Sequence, residues 1–284
     1  MTEAIRSHFD PAAYKGKKEA LIENIAALTS SNTAVAFSGG ADSSLLLQLA
    51  VLGARNNGTK VYAITAATEL HPAGDIEAAK KIAAQLKADH TVIHIDELQD
   101  AGIQDNPPDR CYRCKRYLFT QMKNRAERLG ASVVLEGTNY DDLSVYRPGI
   151  KALKELGIIS PLKDAGFTKQ EVRRLAAEYG ISAANKPAAP CLATRFPYHT
   201  RLDLHRLRQV EDGEKFLKQY DLYNVRLRVH DTVARIEVDE KDMPLIYENR
   251  SEIIRCLRSL GFDYITLDLA GFRSGSMDIF TEEN

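Results

Sequence analysis

An apolar run, Thr33-Ala34-Val35-Ala36-Phe37, stops at Ser38-Gly39-Gly40-Ala41-Asp42-Ser43-Ser44, and a helical stretch over residues 42–53 follows. A short strand feeding a helix through a glycine turn is how a βαβ unit begins. It points to a parallel sheet whose ligands gather at the carboxyl ends of the strands. Gly39 and Gly40 let the backbone approach an anion, and the helix start directs unpaired N–H groups toward it. Ser38 and Ser43 add hydroxyl donors. The Gly-Lys-Ser/Thr signature of a Walker loop is absent. The plain alternative is a serine–glycine turn in which Asp42 or Ser43 caps the helix. Placement directly after an apolar strand favours a phosphate.

The alternation continues. Residues 60–66, 90–95 and 132–135 read as strands. Residues 75–86 read as a helix, and residues 121–129 belong to another that begins near Cys111 and Cys114. Thr168-x-x-Glu171 is a capping box, with Gly180 as the stop of its helix. Residues 185–197 hold Pro187, Pro190 and Pro197 and cannot be helical throughout. Beyond them come a helix over 204–220, strands over 225–229 and 233–238, one helix over 245–260 and a strand over 264–269. The expected class is α/β: a parallel-sheet domain over residues 1–190, then a small α+β domain over 198–284. A length of 284 residues suits about two domains.

Charge narrows the partners. There are 38 basic and 39 acidic residues, for a net charge of −1, balanced in both halves. That speaks against bulk nucleic-acid binding, which usually shows a basic excess. A hydrophobic content of 44% excludes a wholly disordered chain. No apolar run approaches the ~20 residues of a membrane span. Met1-Thr2-Glu3-Ala4-Ile5-Arg6 lacks the layout of a signal peptide. A cytoplasmic protein is the expectation, and its four cysteines should then be free thiols.

Three of them stand out: Cys111 and Cys114 in Cys-Tyr-Arg-Cys, and Cys191 between Pro190 and Leu192. Cys256 falls at an apolar helical position and reads as a buried free thiol. Cys-x-x-Cys alone is open to zinc, a redox dithiol or two unrelated thiols. A zinc site would need a fourth ligand, for which Cys256 and His71 are the candidates. Arg226 and Arg228 alternate with apolar residues on a strand, so they share a face and could fork onto a phosphate. Arg195, Arg201 and Arg235 add to the positive charge of the same region.

Ser-Gly-Gly-x-Asp-Ser resembles the PP-loop of the ATP pyrophosphatases, which cleave ATP to AMP and pyrophosphate while adenylating an acceptor. The resemblance places Ser38, Gly39, Gly40, Asp42 and Ser43 at the pyrophosphate, with Thr65 and Gly137 near the nucleotide. Over roughly residues 20–275 the chain also resembles the LarE family. The match runs through Glu136-Gly137-Thr138-Asn139 with Asp142, 146–152, 160–163, 185–187, 191–198 and 267–275. That family inserts sulfur into pyridinium-3,5-biscarboxylic acid mononucleotide for the nickel-pincer nucleotide cofactor. In one type of member a single cysteine, here Cys191, surrenders its sulfur and becomes dehydroalanine. In the other, three cysteines hold a 4Fe–4S cluster carrying an extra sulfide. Cys111, Cys114 and Cys191 make this chain resemble the cluster type, with zinc and a sacrificial Cys191 as alternatives. The resemblance further implies ATP and magnesium as cofactors, Arg226 and Arg228 on the substrate phosphate, and Glu214 and Glu237 as magnesium ligands. It implies sulfide or a sulfur-donor protein as partner, and self-association. A cluster-bearing tRNA thiolase is the rival function. The three cysteines are expected to converge beside the activated carboxylate. One departure is His199, where the family pattern has glycine before Thr200.

Overall fold

The computed structural model describes residues 10–144, 148–186, 190–273 and 275–277. Tyr146, Arg147, Pro187 and Ser274, which carry part of the resemblance, and the opening segment Met1 to Arg6 lie outside them.

The chain runs through helix α1 (Pro11–Leu28), strand β1 (Thr33–Ala36), α2 (Ala41–Asn57), β2 (Val61–Ala67), α3 (Ala73–Gln85) and β3 (Asp89–His94). Next come α4 (Glu97–Asp100), α5 (Arg110–Arg128), β4 (Val133–Leu135), α6 (Gly149–Glu155), α7 (Pro161–Asp164) and α8 (Lys169–Glu178). The last third holds α9 (Leu204–Leu217), β5 (Val225–His230), β6 (Val233–Val238), α10 (Met243–Glu248), α11 (Arg250–Ser259) and β7 (Tyr264–Leu267).

β1 to β4 form a parallel sheet in the order β3-β2-β1-β4, with Thr33 opposite both Val61 and Val133. The chain steps from β1 outward to β2 and β3, then returns to place β4 on the other side of β1. This reversal makes the carboxyl ends of β1 and β4 a topological switch point, where open α/β sheets bind ligands. β1 is buried along most of its length, as a central parallel strand must be. α1, α2 and α8 cover one face, packing Leu21, Ile25, Leu45, Leu46, Val172 and Leu175 with Val35 and Phe37. Thr168 caps α8 through the expected box with Glu171.

The smaller sheet has the order β5-β6-β7, with β5 antiparallel and β7 parallel to β6. Its core joins Leu207, Val210 and Leu217 of α9 to Leu227, Ile236, Ile253 and Leu257. The single helix expected over residues 245–260 is two. Asn249 separates α10 from α11, its side-chain amide donating to the Leu245 carbonyl (2.8 Å) in competition with the helical ladder.

Two compact units emerge. The first takes the described residues up to Ala67, Gly74–His94 and Leu118–Lys186; the second takes those of Thr68–Ala73, Ile95–Tyr117 and Pro187–Asn284. The second unit is therefore discontinuous, whereas the sequence pattern suggested one joint near residues 185–200. Proline marks where a chain cannot be helical, not where earlier loops will pack. Leu70, Leu98 and Ile103 join the core of the second unit although they are distant from it in sequence.

Candidate functional site

The turn after β1 leaves the start of α2 open. Gly40 is the N-cap residue, and no side chain caps the helix, so neither Asp42 nor Ser43 takes that role. The first N–H groups of α2 remain available to an anion, with the positive end of the helix dipole behind them. Gly39 sits at φ 70°, and a Cβ there would lie 3.0 Å from the Ala79 Cα. Ser38 and Ser43 are in contact: the Ser38 N–H donates to Ser43 Oγ (3.3 Å), and the hydroxyls are 3.1 Å apart. The turn after β4 closes on the same place. A Cβ on Gly137 would come 3.0 Å from the Ser43 nitrogen, so only glycine lets the two turns approach this closely.

Asp42 faces Lys169 in an ion pair, with Asn139 Nδ2 3.4 Å from its other oxygen. Thr65 lies at the end of β2, but its hydroxyl is committed, donating to the Phe37 carbonyl (2.6 Å) and pairing with His90 Nε2 (2.8 Å). It props the backbone that enters the turn. Burial, and then Lys80, push the His90 pKa below its ordinary value.

The three singled-out cysteines all belong to the second unit. Cys111 and Cys114 lie in the first turn of α5, three residues apart and so on one side of it. Cys191 immediately precedes the 3₁₀ turn Leu192–Arg195. The thiols are electrostatic neighbours. Burial raises the Cys191 pKa most, followed by Cys111; burial raises that of Cys114 most, then Glu97, with Cys191 and Cys111 adding to it. Cys114 Sγ donates to Glu97 Oε2 at 2.9 Å. Opposing this, the buried Arg110 lowers the Cys191 pKa. Its guanidinium stacks 4.6 Å from the Tyr198 ring centroid and donates to Asn106 Oδ1 (2.9 Å), while its Nε has no hydrogen-bond partner among the described residues.

The donor set suits iron–sulfur ligation: three free thiols from two segments, partly buried. Among the described residues no three His, Cys, Asp or Glu side chains close on the position of a single ion. A multi-iron cluster asks for something wider, because each thiolate takes a different iron. Cys256 is half-buried on α11, not fully buried as the pattern suggested, and its pKa is raised by burial, Glu252 and Asp212. His71 Nδ1 is paired with the Thr68 hydroxyl (2.8 Å).

Arg226 and Arg228 are buried on β5 among compensating charges. Arg195 forks onto Glu214 (2.8 and 3.0 Å). Arg228 Nε binds Glu237 (3.0 Å) and its NH1 donates to the Thr194 carbonyl (2.8 Å). Arg235 reaches Glu237 (3.3 Å) and pairs with Asp268. Arg226 donates to the Val225 carbonyl and lies over the Phe272 ring; burial first, then Arg195, push its pKa down to about 10. Arg195, Arg226, Arg228 and Arg235 thus lie among Glu214, Glu237 and Asp268, and Arg273 also reaches Asp268 (3.7 Å). The expected magnesium ligands do not fit that role as they stand. Both oxygens of Glu214 and both of Glu237 already accept from guanidinium, amide or hydroxyl donors. Arg201 is exposed and pairs with Asp105 (2.9 Å).

Comparison with known proteins places these features. The PP-loop domain family matches residues 13–144. The pyridinium-3,5-bisthiocarboxylic acid mononucleotide synthase of Lactiplantibacillus plantarum is 40% identical over 248 residues, covering 86% of this chain and 88% of that protein. The chain belongs to the LarE family. An uncharacterized Synechocystis protein is 35% identical over 86% of this chain and 91% of its own. A tRNA-specific 2-thiouridylase of Geotalea uraniireducens is 28% identical over 59% of this chain and 51% of its own. LarE membership makes the chain an ATP-dependent sulfurtransferase of the PP-loop class. No helix among the described residues is long and apolar enough to cross a membrane.

Sequence reasoning missed three residues of this LarE chain. Lys169 lies 127 positions from its partner Asp42, and nothing local marks it beyond following the Thr168 cap. Glu97 and Arg110 looked like ordinary charged residues, and only burial with unpartnered atoms singles them out.

Proposed function

We propose that this chain adenylates the carboxylates of pyridinium-3,5-biscarboxylic acid mononucleotide with ATP and replaces carboxyl oxygen by sulfur. The observation that carries the reading is an uncapped helix start at the sheet's switch point, in a chain 40% identical over most of its length to a synthase of the bisthiocarboxylate. The backbone N–H groups at the start of α2, with Ser38 and Ser43, hold the departing pyrophosphate as negative charge builds on it. Lys169 orients Asp42 at the same turn. Arg226 and Arg228, two residues apart on β5 and so on one face of the strand, take the substrate's phosphate. Balanced net charge favours a small nucleotide over tRNA as the acceptor.

Sulfur delivery falls to the second unit. Cys111, Cys114 and Cys191 would hold a 4Fe–4S cluster, and the chain's part is to bind it through three thiolates and shield it by partial burial. Bound there, the cluster would supply an extra sulfide as the sulfur source. Arg110 offsets the negative charge that three thiolates bring.

The test is anaerobic isolation with iron, sulfide and zinc analysis, then incubation with ATP, magnesium, the biscarboxylate and sulfide. AMP, pyrophosphate and repeated formation of the thiocarboxylate are expected, each thiol being required. ADP and phosphate as products would overturn the adenylation step. One turnover with dehydroalanine at position 191 would replace the cluster by a sacrificial Cys191. Thiolation of tRNA with no reaction of the mononucleotide would overturn the substrate.

A further inference from the structure

Glu97 opens α4 and is fully buried, yet its carboxylate has little company. Oε2 accepts from Cys114 Sγ at 2.9 Å, and Oε1 has no hydrogen-bond partner among the described residues. Among the described residues no lysine, arginine or histidine stands within ion-pair distance of it. The same chain treats its other buried glutamates differently: Glu214 and Glu237 are met by guanidinium groups, and Glu136 by the hydroxyls of Thr138 and Ser160. A buried carboxylate left with one thiol donor is costly, and such orphans usually mark a missing partner.

The chemistry of the neighbouring thiol identifies that partner. A thiol that takes a metal gives up its proton. A metal held at Cys114 would bring a cation beside Glu97, whose buried Oε1 has no hydrogen-bond partner among the described residues. Three thiolates hold three irons of a four-iron cluster and leave the fourth with no protein donor. We infer that Glu97 is the chain's own oxygen ligand at that fourth iron, reaching it from beside Cys114. The inference rests on the cluster reading above. Oxygen is a harder and weaker donor to iron than thiolate. It secures the fourth iron between turnovers and yields to hydrosulfide: one iron–oxygen bond breaks, one iron–sulfur bond forms, and one anion replaces another without change of oxidation state.

The full chain is reconstituted anaerobically with ferrous iron and sulfide as wild type, Glu97→Gln and Glu97→Cys. Iron and labile sulfide are counted, electron paramagnetic resonance separates three-iron from four-iron clusters, and iron release to a ferrous chelator is timed. Glu97→Gln should lose the fourth iron about tenfold faster or more and accumulate the three-iron form. Glu97→Cys should release it more slowly than wild type, because a fourth thiolate replaces a weak oxygen. Circular dichroism and ATP binding report folding, and if the Gln variant fails there the Cys variant decides. Identical iron retention in wild type and the folded variants would overturn the role of Glu97 while leaving the cluster reading intact. A wild-type chain that assembles no cluster at all would overturn both.

Discussion

His199 is exposed at φ 64°, a left-handed conformation that glycine adopts freely and other residues hold at a penalty. Its N–H donates to the Asn106 carbonyl (3.0 Å), so the turn forms with histidine where the resemblance led one to expect glycine. His199→Gly should stabilise the protein by about 0.5–1 kcal/mol, the relieved strain being partly offset by a freer unfolded chain. Urea unfolding measures this, and a loss of stability would show that the imidazole contributes something the backbone does not reveal. At the phosphate turn, Ser43→Ala should slow pyrophosphate release about a hundredfold with circular dichroism unchanged. Unaltered release would remove Ser43 from the adenylation machinery. Arg228 behaves differently from its neighbour on β5. Truncating it to alanine leaves Glu237 Oε2 without its guanidinium donor, while Arg235 and Ser276 still meet the other oxygen, and should destabilise the protein by about 1–3 kcal/mol, visible as a lowered denaturation midpoint. The phosphate turn was legible because its glycines, serines and aspartate fall within six residues. Lys169, Glu97 and Arg110 were not, since each acquires meaning only from partners far off in sequence or from burial.

At the scale of elements, the capping box at Thr168 was readable because its two members are neighbours, while the break at Asn249 was not. Apolar spacing carries across residues 245–260, and one side-chain amide competing for a carbonyl overrides it. β5 was legible as a strand by alternation, but what its arginines do there was only half legible. The pattern showed a shared face; the structure adds the carboxylates that neutralise most of it. This has a consequence in acid. Burial would raise the Glu214 pKa, but the hydrogen bonds and charge of Arg195 overcome that and hold it below the ordinary 4.5. A carboxylate with a depressed folded pKa contributes stability that is complete above its unfolded value and is lost as pH falls through the folded one. The second unit should therefore weaken below about pH 4.5, in the acid range where Glu214 takes up its proton. Glu214→Gln should flatten that part of the stability–pH curve while lowering stability at neutral pH. An unchanged acid limb would mean another group governs it.

The molecule as a whole divides in a way no single cut reproduces. A fragment spanning residues 198–284 contains the small sheet but lacks Leu70, Leu98, Ile103, Leu192 and Phe196, which belong to the same core. It should fail to fold alone, giving a poorly dispersed amide spectrum; a cooperative thermal transition in that fragment would contradict this. Fold class was legible because alternating strands and helices leave few topologies. Unit membership was not, because residues 68–73 and 95–117 carry no local sign that they serve a core completed after residue 187. On the ribosome this ordering becomes a schedule. The first unit can close its sheet once β4 and the segment to Lys186 have emerged, while Leu70, Leu98, Ile103 and Cys114 stay without their core until the last hundred residues are made. Nascent chains stalled near residue 190 should consequently hold the Cys114 thiol open to alkylating reagents, and full-length release should close it. Any iron would then be acquired only after translation is complete.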